Sequence, residues 1–194
     1  MAVEVAGALG LRLDIVVPRK IPIPDNPEAG YGAVTEDGII VLNEPLVERL
    51  GLGERLIKRQ ADEVMAEIGR RLSLYRTRLR ATRVEGKTAI VIDDGLASGY
   101  TMLAAIGSMR RRGARKVVAA TPVASSHARD LVRSSADELV IPFVSSVYPF
   151  AVAGFYRHWH DLTDGEVLGE LERYGKAYGR DADDPRGPVL GKDG

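Results

Sequence analysis

The stretch Ala89 to Thr101, A-I-V-I-D-D-G-L-A-S-G-Y-T, constrains the fold of this chain more than any other. Ala89, Ile90, Val91 and Ile92 form an apolar run rich in β-branched residues and too short for a typical helix, the pattern of a parallel strand buried on both faces. Asp93 and Asp94 fall at its carboxyl end, where ligands sit in an open α/β sheet. Gly95 to Thr101 carry little side-chain bulk and run into Met102, Leu103, Ile106 and Met109, which keep helical spacing until Gly113. A helix therefore begins at the loop.

The first amides of a helix lack partners inside it, and its dipole is positive there. The N–H groups of Ala97, Ser98, Gly99, Tyr100 and Thr101, with the Ser98 and Thr101 hydroxyls, are thus placed to cradle a phosphate dianion. Two carboxylates would repel that phosphate at close range. Asp93 and Asp94 instead accept hydrogen bonds from neutral hydroxyls, or hold a hydrated magnesium ion, a few ångströms away. The ligand so implied is a sugar phosphate with a vicinal diol. Aspartates also stand at strand ends in response regulators and in haloacid dehalogenase-like phosphatases, so a phosphatase with Asp93 as nucleophile is a rival reading.

Bulk properties narrow the class. The chain has 194 residues, 45% of them hydrophobic and 28% charged, enough for one sizeable core, and a single domain over 1–175 is expected. Its 27 basic and 27 acidic residues cancel, so net charge argues for neither nucleic acid nor membrane, and a small metabolite is the expected partner. No apolar run approaches a membrane span, and Glu4 stands where a secretory signal would carry cations. The absence of cysteine excludes disulfides, zinc–thiolate sites and cysteine nucleophiles, and fits the cytoplasm. Asn26, Asn43 and Gln60 are the sole amide side chains, a composition that leans toward a heat-adapted source.

Along the chain, Val3 to Leu9 read as a helix ending at Gly10, and Leu13 to Val17 as a short strand leading to Pro18, Arg19 and Lys20. Pro22, Pro24, Pro27, Gly30 and Gly32 predict a loop over Ile21 to Gly32. An Asp-Gly hairpin is expected around Glu36, Asp37 and Gly38. After Gly53, Ile57, Ala61, Val64, Met65, Ile68, Leu72 and Tyr75 mark one face of a long helix packed on the sheet. Lys116 to Ala124 and Glu138 to Val144 read as buried strands around a serine-capped helix, Ser126 to Ser135. An aromatic segment follows, Tyr148 to Asp161, and then a helix opened by a Thr163–Glu166 capping box and fading near Gly175. The rest, 176–194, is rich in Gly, Asp and Pro and is expected to be a loose tail. Alternating strands and helices predict an α/β fold with a doubly wound parallel sheet, a hairpin or hood insertion, and a C-terminal aromatic segment plus helix.

Four apolar residues, two acidic ones and a small-residue loop closing in Ser-Gly-x-Thr resemble the phosphoribosyl pyrophosphate (PRPP) motif of type I phosphoribosyltransferases. The resemblance is specific from Ala89 to Thr101 and extends in organisation over about Val3 to Val144. It implies that Asp93 and Asp94, the catalytic pair, bind the ribose hydroxyls, that Ala97, Ser98, Gly99, Tyr100 and Thr101 bind the 5′-phosphate, and that magnesium comes with PRPP rather than in a dedicated metal site. The transfer would pass a phosphoribosyl group to a nitrogenous base and release pyrophosphate. Tyr100 stands where the family more often has a small residue, so its ring must turn out of the phosphate pocket. Ala97 stands where purine-using relatives carry an aspartate and uracil-type relatives an alanine, which disfavours a 6-oxopurine acceptor; a small residue in a tight turn explains Ala97 equally well.

Arg19 and Lys20 are expected to end a strand beside the Ala89–Ile92 strand and so to reach pyrophosphate, whose charge builds as it departs; alternatively they solvate a strand terminus. The aromatic segment after the last strand lies where the resembling transferases gather residues over the base, so Phe150, Phe155, Tyr156, His158 and Trp159 are expected to form either a lid that stacks an acceptor or a packed flap or dimer contact, and a homo-oligomer, a dimer, is expected. His158 and His160, two residues apart, make a poor metal pair. The segment from Ile21 through the following hairpin matches the family's flexible loop, whose closure would exclude water. Arg110, Arg111 and Arg112 suit a helix carboxyl end rather than a nucleic-acid patch. Relatives open with a strand and a pyrophosphate-holding loop ahead of their first helix, whereas this chain begins at that helix. A non-catalytic PRPP or nucleotide sensor is therefore the alternative expectation.

Overall fold

The computed structural model describes residues 1–178. They form two compact units. The first comprises Met1–Ile15, Arg71–Thr82 and the described residues from His160 onward, and the second Val16–Arg70 and Arg83–Trp159.

In the first unit, α1 (Ala2–Leu9) ends on Gly10, whose φ of 61° is the left-handed conformation that glycine adopts without penalty. The C-terminal helix of this unit spans Asp164–Tyr178 and buries Leu171 and Tyr174. It runs past Gly175, and 179–194 lie outside the described residues. Its capping box forms as expected, with the Glu166 amide donating to Thr163 Oγ1 at 3.3 Å and the Thr163 amide donating to Glu166 Oε2 at 2.8 Å.

The expected strand over Leu13 to Val17 does not form. Side chains take the backbone groups that a strand would pair: Leu13 N–H donates to Tyr174 Oη at 3.0 Å, Ile15 N–H donates to Asp14 Oδ1 at 2.8 Å, and Ile15 O accepts from Arg76 at 3.2 Å. Asp14 in turn pairs with Arg76 and accepts the Thr82 amide. A carboxylate in the middle of an apolar run thus turns the segment into a knot of side-chain bonds.

The second unit opens with β1 (Arg19–Ile23), β2 (Asn26–Val34) and β3 (Ile40–Leu42), an antiparallel sheet in that order. Most of the proline-rich stretch is therefore strand, not loop. The prolines fit because β1 is an edge strand and the register slips on both sides of Pro22, while Asp25 takes a φ of 63° in the turn. The second hairpin is the expected one, with Gly38 at φ 79°.

Next come α2 (Glu44–Leu50), capped by Asn43 and ended by Gly51, and α3 (Glu54–Tyr75). Ala61 and Ile68 of α3 are fully buried and pack with Ile21, Tyr31, Val34 and Val47. The long apolar face thus covers the antiparallel sheet.

The parallel sheet is β4 (Thr88–Ile92), β5 (Lys116–Ala120) and β7 (Glu138–Val140), in that order. Beyond β5 and β7 the chain resumes as β6 (Val123–Ser125) and β8 (Phe143–Ser145), which pair with each other. Each expected long strand is therefore broken in two, at Thr121-Pro122 and at Ile141-Pro142. Proline donates no ladder bond, and the two breaks interlock: Thr121 N–H reaches Val140 O at 3.0 Å and Phe143 N–H reaches Pro122 O at 3.2 Å. Helices α4 (Tyr100–Arg111) and α5 (Ser126–Arg133) alternate with these strands. The core joins Ala89 and Val91, Val117 and Ala119, Met102, Ile106 and Met109, and Ala128 and Val132. Among the described residues no helix is long and apolar enough to cross a membrane.

Candidate functional site

At the end of β4 the chain leaves one ladder and joins another. Ile92 pairs with Ala120, and the Asp93 amide still donates to Ala120 O at 3.1 Å. The Asp94 amide then folds back onto Asp93 Oδ1 at 2.9 Å. Two residues on, Leu96 donates to Val123 O and accepts from the Ser125 amide, both at 2.9 Å, and bridges Ala124 in parallel. Leu96 is 1% exposed and sits in the core, worth ~2 kcal/mol of burial. The acidic turn is thus pinned on both sides, with Asp93 half-buried and Asp94 exposed.

Gly95 has to be small: a Cβ there would lie 2.6 and 2.7 Å from the two methyls of Val152 and 3.1 Å from Val123. Val152 opens a short 3₁₀ turn, Val152–Phe155. Gly99 caps α4 with a φ of 87°, against Ala128 and Val132. The amides of Ala97, Ser98, Gly99, Tyr100 and Thr101 donate to no other group among the described residues, so they stay available at the positive end of the helix. The Ser125 hydroxyl fixes this loop from below, donating to Ala97 O at 2.9 Å while accepting the Ala128 amide at 3.0 Å as the cap of α5.

Burial pushes the Asp93 carboxyl up to about 6, with the Asp94 carboxylate adding to the effect and the Asp94 amide opposing it. An acid so placed gains from any hydroxyl donor or cation brought beside it. The Tyr156 hydroxyl donates to Asp94 O at 2.6 Å. Burial first, and then the two carboxylates, hold that phenol above its ordinary value, so it stays a neutral donor. The Tyr100 phenol is raised in the same way by burial and by Glu44. Groups of three or more metal-ligating side chains do not occur among the described residues.

The structure brings Asp93, Asp94 and the Ala97–Thr101 loop into one continuous turn. Arg19 and Lys20 open β1 of the antiparallel sheet rather than end a strand beside β4, with Arg19 on Glu67 at 2.5 Å and Lys20 donating to Glu28 O at 2.6 Å. In the aromatic segment, Phe155 stacks near Phe143 and Phe150, at 5.5 and 5.3 Å, and Tyr156 near Trp159 at 5.1 Å. His160 holds Glu166 at 2.8 Å, and His158 is exposed. Arg110 and Arg111 end α4 on Ser135 O and Asp37 O, as helix-end cations do. Three contacts were hidden from sequence reasoning: Ser125 on Ala97, Val152 on Gly95, and Tyr156 on Asp94. A serine before a helix signals the first in part, whereas the other two join residues nearly sixty or more apart.

Residues 38–152, more than half of the chain and including the whole acidic turn and loop, match the phosphoribosyl transferase domain family. Two curated proteins, from two strains of Mycobacterium tuberculosis and each bearing the name "Putative phosphoribosyl transferase", are 34% identical over 173 residues, covering 89% of this chain and 39% of theirs. The chain therefore spans well under half the length of these relatives. The crystal structure of TT1426 from Thermus thermophilus superposes with a TM-score of 0.71 at 32% identity, over 89% of this chain and 81% of that one. By its matching segment, its relatives and its parallel-sheet α/β fold, this chain belongs to the phosphoribosyl transferase domain family.

Proposed function

We propose that the chain binds PRPP and transfers its phosphoribosyl group to a nitrogenous base, releasing pyrophosphate. The observation that carries this reading is the pairing, within one turn, of two carboxylates with five uncommitted amides at a helix start. Asp93 and Asp94 accept the two ribose hydroxyls, whose donation relieves the buried charge of Asp93. The loop amides, with the Ser98 and Thr101 hydroxyls, take the 5′-phosphate. The ribose is then held at both ends, and the carboxylates oppose the positive charge that develops at its anomeric carbon.

The hard oxygen donors of Asp93 and Asp94 suit magnesium that arrives on the diphosphate of PRPP, where its charge would offset that of departing pyrophosphate. Arg19 and Lys20 serve pyrophosphate in this reading only if Arg19 exchanges Glu67 for it. The alanine at 97 offers no carboxylate to a purine ring, which favours a pyrimidine-like acceptor.

Calorimetric titration of PRPP with magnesium tests the assignment. Binding to the wild type is expected, with affinity at least about tenfold weaker, 1.4 kcal/mol, in the Asp93→Asn, Asp94→Asn variant. Equal binding by both would remove the acidic pair from the site. Pyrophosphate release across a panel of bases then identifies the acceptor.

A further inference from the structure

The proposed ligand contacts leave one residue beside the acidic turn without a role. Tyr156 reaches across 62 positions of sequence to donate its hydroxyl to the Asp94 carbonyl at 2.6 Å. Its ring is half-buried and backed by Trp159, with centroids 5.1 Å apart and planes tilted by 56°. Four residues earlier Val152 lies against Gly95 closely enough to exclude any side chain there. The Tyr156 amide closes the intervening 3₁₀ turn on Ala153 O at 3.2 Å. One short segment therefore grips two consecutive residues of the acidic turn, Asp94 through its carbonyl and Gly95 through its Cα.

The carbonyl matters because it fixes a peptide plane. The direction of the Asp94 side chain follows from the backbone dihedrals on either side of its Cα, and one of these is set by the plane that contains the held carbonyl. The Asp94 amide, on the other side, is held by Asp93 Oδ1. Both carboxylates of the pair are thereby oriented by the same short stretch of backbone. The Tyr156 phenol, held above its ordinary value by burial and then by the two carboxylates, keeps its proton on that carbonyl throughout the physiological range.

We propose that Tyr156 is a positioning residue of the phosphoribosyl site, its hydroxyl clamping the Asp94 carbonyl so that the acidic pair is held ready for the ribose diol. This rests on the reading of the site given above. Tyr156→Phe deletes only the hydroxyl. Titrations of wild type and variant with PRPP and magnesium, with ribose 5-phosphate and with inorganic phosphate separate the ends of the site.

Loss of one aligned hydrogen bond predicts a fall of about two- to tenfold in affinity for PRPP and for ribose 5-phosphate. Phosphate binding at the loop stays unchanged, and the melting temperature falls by no more than about 2–5 °C, as loss of one hydrogen bond requires. Unchanged PRPP affinity in the variant overturns the inference, as does a parallel fall for inorganic phosphate, which a general distortion of the loop would produce. Absence of PRPP binding by the wild type overturns the functional reading itself and this inference with it, whereas wild-type binding with an indifferent variant overturns this inference alone. Should Tyr156→Phe not fold, Trp159→Leu removes the ring that backs Tyr156, and the same selective loss for diol-bearing ligands is expected; its absence overturns the inference.

Discussion

Substituting Asp93→Asn should stabilise the fold at pH 8 even as it removes a carboxylate that the proposed ligand needs. The Asp93 carboxyl is pushed up to about 6, chiefly by burial and then by its neighbour Asp94. The distance from an ordinary aspartate value, about 3.9, corresponds to ~3 kcal/mol at 1.36 kcal/mol per pH unit. Partial exposure of the half-buried carboxylate to water screens this to ~1–2 kcal/mol. Because the folded-state value is raised, the penalty is fully present above about pH 7, where both folded and unfolded chains are ionised. It shrinks as pH falls through 6 toward 4, and it vanishes once both are protonated. Asparagine keeps an oxygen for the Asp94 amide and carries no charge. Urea denaturation at pH 8 should therefore show the variant more stable by ~1–2 kcal/mol, a rise of about 2–4 °C in melting temperature per kcal/mol for a chain of this size. At pH 4.5 the gain should fall to about a third. A variant no more stable than wild type at pH 8, or a gain independent of pH, would refute the argument that burial of this charge strains the fold.

Three further substitutions probe the supports of the site and of the first unit. Gly95→Ala places a methyl within 2.7 Å of Val152 and should cost ~1–3 kcal/mol by denaturant titration, with Val152→Ala in the same chain recovering part of the loss. Ser125→Ala removes both the cap of α5 and the bond to Ala97 O, so stability should fall by about 1 kcal/mol and inorganic phosphate should bind more weakly in calorimetry. Arg76→Leu removes the guanidinium that pairs with half-buried Asp14 and bonds Ile15 O, a loss of ~1–3 kcal/mol by denaturant titration, and adding Asp14→Leu should recover part of it.

Sequence reading succeeded where structure is local. The strand, acidic turn, loop and helix from Ala89 to Thr101 are contiguous, so apolar patterning and helix-start chemistry reveal them together. The Thr163–Glu166 box and the Gly38 turn are legible for the same reason. Reading failed where distant partners decide. Leu13 to Val17 has the composition of a strand, but Tyr174, Arg76 and Thr82 take its backbone and its Asp14. The prolines between Ile21 and Gly32 suggest a loop, but an edge strand with a slipped register tolerates them. Helix α2 carried its own signals, Asn43 as cap and Gly51 as stop, in a span too short for periodicity to register. Arg19 and Lys20 open an antiparallel strand instead of following the one that Leu13 to Val17 suggests, and Tyr156 and Val152 act on the acidic turn across sequence distances that no motif encodes.

Pro122 and Pro142, at matching levels of neighbouring strands, divide the parallel architecture into a trunk, β4-β5-β7, and a terminal ladder, β6-β8, to which Leu96 is bridged. The acidic pair lies at the junction, with Asp93 bonded to the trunk through Ala120 and Leu96 bonded to the ladder through Val123. Ala124 of the ladder shares one buried cluster with Ala89, Val91, Val117 and Ala119 of the trunk, so the two parts stand or fall together, and exposed positions such as Phe143 are where substitution alters the surroundings of the junction without entering that cluster.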